Sequence, residues 1–192
     1  MREGIAIVGL NGSGKSTLAH ALAKELGFFE IDCEDYYFPE QRESRQSALE
    51  ENYDVQCSYL GDTPYSVARS KDEVEQAIAK DVVLHPQYII SGVTMNWNED
   101  ILSTIKVVFW LKTETAERVK RVKSREEKRW GSRVSVGGDM YEQQLSFRNL
   151  ISGLPESMVE DSISKIGCEV RELDGMLPIS RNLEIIQEYL QQ

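Results

Sequence analysis

Residues 9–17 read Gly9-Leu10-Asn11-Gly12-Ser13-Gly14-Lys15-Ser16-Thr17, a full match to the pattern G-x-x-x-x-G-K-[ST]. The chemistry of a phosphate group accounts for these residue types. Glycines let successive backbone N–H groups turn towards one point. A helix start behind them adds partial positive charge. Lys15 carries a full charge to β and γ phosphates, and the Ser16 hydroxyl can ligate Mg²⁺. Gly9, Asn11, Gly12, Ser13, Gly14, Lys15, Ser16 and Thr17 are therefore the candidate nucleotide-binding residues.

The flanks of the loop fit this reading. Ile5-Ala6-Ile7-Val8 is a continuous apolar run, as expected of a central parallel strand covered on both faces. After the loop, Leu18, Leu22 and Leu26 recur at spacing four, and Gly27 ends the helix. Phe28 to Ile31 forms a second strand closing on Asp32, which completes a βαβ unit. Further along, helices are expected over 72–83, 114–129, 139–150, 155–166 and 181–190, and strands over 88–92, 106–111 and 168–173. Residues 39–65 are polar and irregular, and read as short helices and loops over a site. Alternating strands and helices imply a doubly covered parallel sheet.

The chain has 192 residues, 22 Lys+Arg and 32 Asp+Glu, for a formal charge of −10. The length suits a single domain, taken as 1–192. The acidic balance argues against nucleic acid or an anionic membrane as partner of the whole surface. The apolar runs Ile5–Leu10 and Val107–Leu111 are far shorter than the ~18 residues of a membrane span. Met1-Arg2-Glu3-Gly4 runs straight into a strand, and no signal peptide fits there. Cys33, Cys57 and Cys168 share no metal-ligand spacing, so free thiols in a reducing cytosol and a cytoplasmic protein are expected.

The loop leaves the reaction open. There is no N-K-x-D and no D-x-x-G after a strand, which weakens a GTPase assignment. The third strand ends in Ser91-Gly92 and not in Asp, so the acidic partner of a metal must come from elsewhere. Asp32-Cys33-Glu34-Asp35 follows the second strand, at the ligand-binding edge of such a sheet. A carboxylate there can hold Mg²⁺ through water or accept the proton of an attacking hydroxyl. Asp32 is the first candidate and Asp35 the second; a solvated acidic turn is the plain alternative. Tyr36, Tyr37 and Phe38 either floor an acceptor pocket or pack a core.

Eight basic residues, Arg118, Lys120, Arg121, Lys123, Arg125, Lys128, Arg129 and Arg133, fall within 16 positions. Arg118, Arg121, Arg125 and Arg129 share one helix face. A row of guanidiniums suits phosphate oxygens and a transferring phosphoryl group. A solvated basic face and an RNA-binding helix are the alternatives.

In this order the motifs resemble the P-loop nucleoside and nucleotide kinases, with shikimate kinase and adenylate kinase-like proteins nearest. Val8 to Thr17 resembles the opening of those enzymes. Asp32-x-Glu34 resembles the D-x-D of shikimate kinases, and Glu34-Asp35-Tyr36-Tyr37 the D-D-F-[FY] of uridine and nicotinamide riboside kinases. Glu117-Arg118-x-x-Arg121 resembles the start of a mobile lid, and Leu173 to Pro178 the late loop that packs on adenine. The resemblance implies that Arg118 and Pro178 sandwich the base. Glu34 stands where the second Asp would be, and Gly92-Val93-Thr94-Met95-Asn96-Trp97 replaces a Gly-Gly-Gly acceptor loop. No arginine matches those that hold a monophosphate acceptor; Arg42, Arg45 and Arg69 lie in that region.

The expected architecture is thus a three-layer α/β P-loop NTPase fold, with a five-stranded parallel sheet and helices on both faces. An acceptor region near 39–85 and a helical lid near 114–152 would complete it. The expected activity is ATP- and Mg²⁺-dependent phosphoryl transfer to a nucleoside, nucleotide or small hydroxyl compound, by a monomer or homodimer. Lys15, Asp32, Asp35, Arg121 and Arg125 are the candidate catalytic residues, and Ser16 and Asp32 the metal partners. A nucleotide-binding regulator or slow ATPase without an acceptor is the alternative.

Overall fold

The computed structural model describes residues 3–43, 45, 65 and 67–191. The elements run β1 (Glu3–Val8), α1 (Lys15–Leu26), β2 (Phe29–Asp32), α2 (Cys33–Tyr37), α3 (Lys71–Leu84), β3 (Gln87–Gly92), α4 (Glu99–Leu102) and β4 (Ile105–Lys112). They continue with α5 (Thr115–Trp130), α6 (Tyr141–Ser152), α7 (Ser157–Ile163), β5 (Glu169–Asp174) and α8 (Ile179–Leu190). Short 3₁₀ turns lie at Pro39–Gln41 and Gly131–Val134. The five strands are parallel in the order β2-β3-β1-β4-β5.

The apolar run of β1 is buried on both sides because its side chains alternate between two cores. Ile5 and Ile7 pack with Leu18 and Leu22 of α1 and Ile186 of α8. Ala6 and Val8 pack with Val74 and Ile78 of α3 and Val159 and Ile163 of α7. These are the three layers expected from the sequence. β5, at the edge, is mostly exposed, with Leu173 its buried residue.

Element ends moved where local chemistry dictates. Gly27 caps α1 in the left-handed conformation, its N–H bonded to Ala23 O. α3 starts at Lys71, not Asp72, because Ser70 and Glu73 form a reciprocal capping box. α8 starts two residues before Arg181, directly after Pro178 at its N-cap. α7 stops at Ile163, short of Ile166. Most of 39–65, including Cys57, lies outside the described residues; Cys33 is buried and Cys168 partly exposed, both free thiols. No helix among the described residues is long and apolar enough to cross a membrane.

The parallel sheet brings the C-terminal ends of β1, β2 and β3 to one edge. Val8 pairs with Gly92 and Ile7 with Ser91, while Asp32 pairs with Ser91 on the other side of β3. That edge is where open α/β sheets hold ligands. At the opposite end, Tyr88 is fully buried, with its hydroxyl 2.6 Å from Thr104 Oγ1. Its ring occupies the space beside Gly4, where a Cβ would meet Tyr88 Cζ at 2.3 Å. Gly4→Ala is therefore expected to destabilise the fold by ~1–3 kcal/mol, the usual cost of overpacking. The midpoint of urea unfolding reads this directly, and an unchanged midpoint would show that the ring yields without cost.

Candidate functional site

The loop between β1 and α1 is shaped by close approach. Gly12 has φ +82, and a Cβ there would lie 2.3 Å from Arg118 O, so no larger residue fits. Gly14 takes the α1 N-cap position at φ 99 and offers no side-chain cap. The first N–H groups of α1 thus have no side-chain acceptor, the arrangement that receives an anion. Lys15 follows at 8% exposure. Burial lowers its pKa, while the Glu34 and Asp32 carboxylates pull it back up.

Those carboxylates come from the start of α2. Asp32 is its N-cap, with Oδ1 accepting from Glu34 N at 3.0 Å. Around them closes Arg45, also 8% exposed. Its guanidinium meets Asp32 at 2.6 Å, Glu34 at 2.5 Å and Asp35 at 2.6 Å. Burial pushes Asp35 up to about 6 despite the pull of Arg45. Burial acts on Glu34 in the same direction, but Arg45, Arg125 and Lys15 outweigh it and hold Glu34 down to about 2.

α5 brings the arginine row over the phosphate loop. Arg121, Arg125 and Arg129 line a 260 Å³ cleft with Gly12, Gly14, Lys15, Ser16 and Thr17. Arg121 also donates to Ser13 O at 3.1 Å. A purely solvated basic face is excluded for these three. Arg118 departs from expectation. It is 2% exposed, donating to Asn11 O at 3.3 Å, Ile151 O at 3.2 Å and Thr115 Oγ1 at 3.0 Å. It braces loop, α5 and α6 together and has no open face for a base, so the expected sandwich with Pro178 is not formed here. Pro178 sits at the N-cap of α8.

A second, larger cavity of 610 Å³ adjoins the cleft. Lys15, Asp32, Glu34 and Arg125 line one part of it. Tyr37, Phe38, Tyr65, Trp97 and Phe147 supply aromatic wall, with Gly92, Thr94, Asn96, Gln143 and Gln144 between. The 36–38 aromatic run therefore splits. Tyr36 is buried and donates to Asp81 at 2.5 Å, a core role, while Tyr37 and Phe38 face the cavity. Asp35 is not in the lining; it reaches the site through Arg45.

Comparison with known proteins fits this geometry. The sequence profile of a family described as "AAA domain" matches residues 5–136. The chain belongs to the AAA domain family. The Bacillus subtilis (strain 168) protein YqaC, described as uncharacterized, is 24% identical over 198 residues, covering 99% of this chain and 98% of its own. Shikimate kinase from Aquifex aeolicus superposes with a TM-score of 0.50 at 16% identity, covering 98% of this chain and 96% of that one. Deoxyadenosine kinase from M. mycoides gives 0.49 at 17% identity, covering 98% of each chain. Within the AAA domain family this chain has the P-loop kinase fold, a five-stranded parallel sheet with helices on both faces.

Several cavity residues of this AAA domain chain escaped the sequence. Glu126 is 2% exposed and accepts from Arg125 at 2.8 Å and from Trp130 Nε1 at 2.8 Å. In the sequence it is only an opposing charge in a basic run. Gln143, Gln144 and Phe147 share a face of α6, a pattern with no motif to mark it. Arg45 could be found only by its three partners, which are 10 to 13 residues away.

The opposite shifts of Glu34 and Asp35 give a test. Native Asp35 holds its proton up to about pH 6, whereas an unfolded aspartate releases it near 3.8. Its contribution to stability therefore falls as pH rises through that window. The contribution of Glu34 is present above its ordinary value of 4.5 and is lost as pH falls towards 2. Asp35→Asn is expected to gain stability relative to the parent between pH 4 and pH 7, read as the difference in urea midpoints. A difference that is constant with pH would contradict the raised value.

Proposed function

We propose that the protein transfers a phosphoryl group from ATP to a small-molecule acceptor held in the 610 Å³ cavity. One observation carries this. Lys15 and Arg125 line both the phosphate-loop cleft and the larger cavity, so two ligands would meet at these two side chains. A second chamber with aromatic walls beside the phosphate cleft favours an acceptor over hydrolysis of nucleotide alone. The kinase fold shared with shikimate kinase supports the same reaction class.

In this mechanism the loop N–H groups and Lys15 hold the triphosphate, and Arg121, Arg125 and Arg129 cover it. The acceptor hydroxyl oxygen forms a bond to the γ phosphorus as the bridging bond to the β phosphate breaks and ADP takes the electron pair. Asp32 is oriented for the hydroxyl proton, with Oδ1 fixed by Glu34 N and Oδ2 by Arg45. Asp35 steadies Arg45 and is the second choice for that proton. Ser16 and, through water, Asp32 would hold Mg²⁺, which neutralises phosphate charge when bound. Among the described residues no three His, Cys, Asp or Glu side chains form a metal cage. That suits an ion delivered with the nucleotide, which keeps its waters and needs few protein ligands.

Lys15→Met is expected to remove most turnover in a folded protein. Asp32→Asn should lower acceptor-stimulated turnover by on the order of 10²–10⁴ while nucleotide affinity changes little. The assay is ATP consumption with and without a panel of nucleosides, monophosphates and small alcohols. ATP consumption indifferent to every acceptor would favour a slow ATPase instead. If Asp35→Asn abolishes turnover and Asp32→Asn does not, the roles are exchanged.

Residues 114–152 are proposed as a lid. They carry their own small apolar cluster, Trp130, Val134 and Met140, more anchoring than the charged sequence suggested. Much of the remaining buried surface is polar, with Arg118, Glu126 and Gln144 inside. Polar burial of this kind is weak against opening. Amide exchange over α5 and α6 is expected to slow when a non-hydrolysable ATP analogue binds; equal protection would count against a lid.

A further inference from the structure

We propose that Glu126 is a positioning residue of the transfer site: its carboxylate turns Arg125 off the arginine row of α5 and aims it at the junction of the two cavities. This rests on the transfer reaction proposed above, in which Arg125 covers the moving phosphoryl group.

α5 carries two stripes at spacing four. Arg118, Val122, Glu126 and Trp130 are its buried residues. Arg121, Arg125 and Arg129 form the neighbouring stripe over the phosphate-loop cleft. At about 3.6 residues per turn, consecutive side chains leave a helix roughly 100° apart and do not normally face each other. Arg125 and Glu126 nevertheless meet. Glu126 Oε1 accepts from Arg125 Nε at 3.0 Å and from Arg125 Nη2 at 2.8 Å. The guanidinium is thus drawn sideways around the helix, towards the buried stripe. The other two arginines are held differently. Arg121 pairs with Glu117 one turn back, at 3.0 Å, and Arg129 donates to the Tyr65 hydroxyl at 2.8 Å. Both line the phosphate-loop cleft and not the 610 Å³ cavity, whereas Arg125 lines the two together.

Glu126 is built to hold that aim. It is 2% exposed, and its second oxygen accepts from Trp130 Nε1 at 2.8 Å. Trp130 packs with Val134 and Met140, so the carboxylate is anchored to an apolar cluster. Packing does not account for an acid here. A buried carboxylate loses its hydration, and an apolar side chain of similar size often serves a core as well or better. Burial also works against the Arg125 charge, but Glu126 and, after it, Glu34 raise the pKa of that guanidinium above its ordinary value. Two carboxylates therefore compete for one cation. Without Glu126 the balance shifts to Glu34, which lines the larger cavity and not the cleft, and Arg125 is drawn away from the phosphates.

The test is a double-mutant cycle on the full chain, read by calorimetry with Mg²⁺ and either ADP or a non-hydrolysable ATP analogue. The quantity is the ratio of the two affinities, which isolates contacts to the terminal phosphate. Glu126→Gln keeps the size and an acceptor for Trp130 but loses the charge. It is expected to move the ratio about fivefold or more towards ADP, and so is Arg125→Met. In the Arg125→Met background, Glu126→Gln should change the ratio by less than about twofold, because its effect travels through Arg125. Arg125→Lys keeps a charge but lacks the fork that grips Glu126, and is expected to lose about fivefold or more as well. Urea midpoints check folding. A full effect of Glu126→Gln in the absence of Arg125 would make the role structural and overturn the proposal. An unchanged ratio in Glu126→Gln or in Arg125→Lys overturns it too, and the lysine variant decides alone if the glutamine variant does not fold. Acceptor-stimulated turnover of the parent judges the transfer reaction separately, so the two can fail independently.

Discussion

A lysine ammonium buried at the start of a helix must be balanced, and much of this site follows from that need. Lys15 faces Asp32 and Glu34, whose own burial requires a cation. Arg45 supplies it and gathers Asp35 as well. On the other side Arg125 approaches the same cluster and is met by Glu126. Removing one member of such a set leaves an uncompensated charge, which costs far more than the net worth of any pair. The set binds α1, α2 and α5 to one another before any ligand arrives, so the electrostatics of the site and the packing of the fold are one constraint.

The same set divides the space around it. On the side of the glycine loop lie the start of α1 and the guanidiniums of Arg121, Arg125 and Arg129, groups suited to oxyanions. On the side of β2 and β3 lie carboxylates, rings and amides. Lys15 and Arg125 line both spaces and form the boundary between them. Parallel pairing of β2 with β3 and of β3 with β1 holds this boundary in place, since it sets Asp32, Ser91 and Ile7 side by side at the strand ends.

The fold was legible because its signals are local and periodic. The apolar β1 run, the glycine loop, the spacing-four leucines of α1 and Gly27 each act within a few residues. Spacing put Arg118, Arg121, Arg125 and Arg129 on one helix face, and the last three line the phosphate-loop cleft. Three features were not legible. Arg45 owes its importance to three carboxylates brought together by tertiary structure. Gln144 is an ordinary polar residue until its helix is docked over the cavity. Arg118 sits in a row with its neighbours, yet its place at the first turn of α5 puts it beneath the phosphate loop and not over it. In each case the third dimension assigned roles that spacing along the chain does not encode.

Arg118 has a mechanical consequence. One nitrogen, Nη1, is shared between Asn11 O of the phosphate loop and Ile151 O near the end of α6. The beginning and the end of the 114–152 segment are therefore fastened at a single latch, and that latch is attached to the loop itself. If 114–152 moves as the proposed lid, both of its ends must carry or break this shared contact. A shift of the Asn11 carbonyl would disturb the same guanidinium that holds the end of α6.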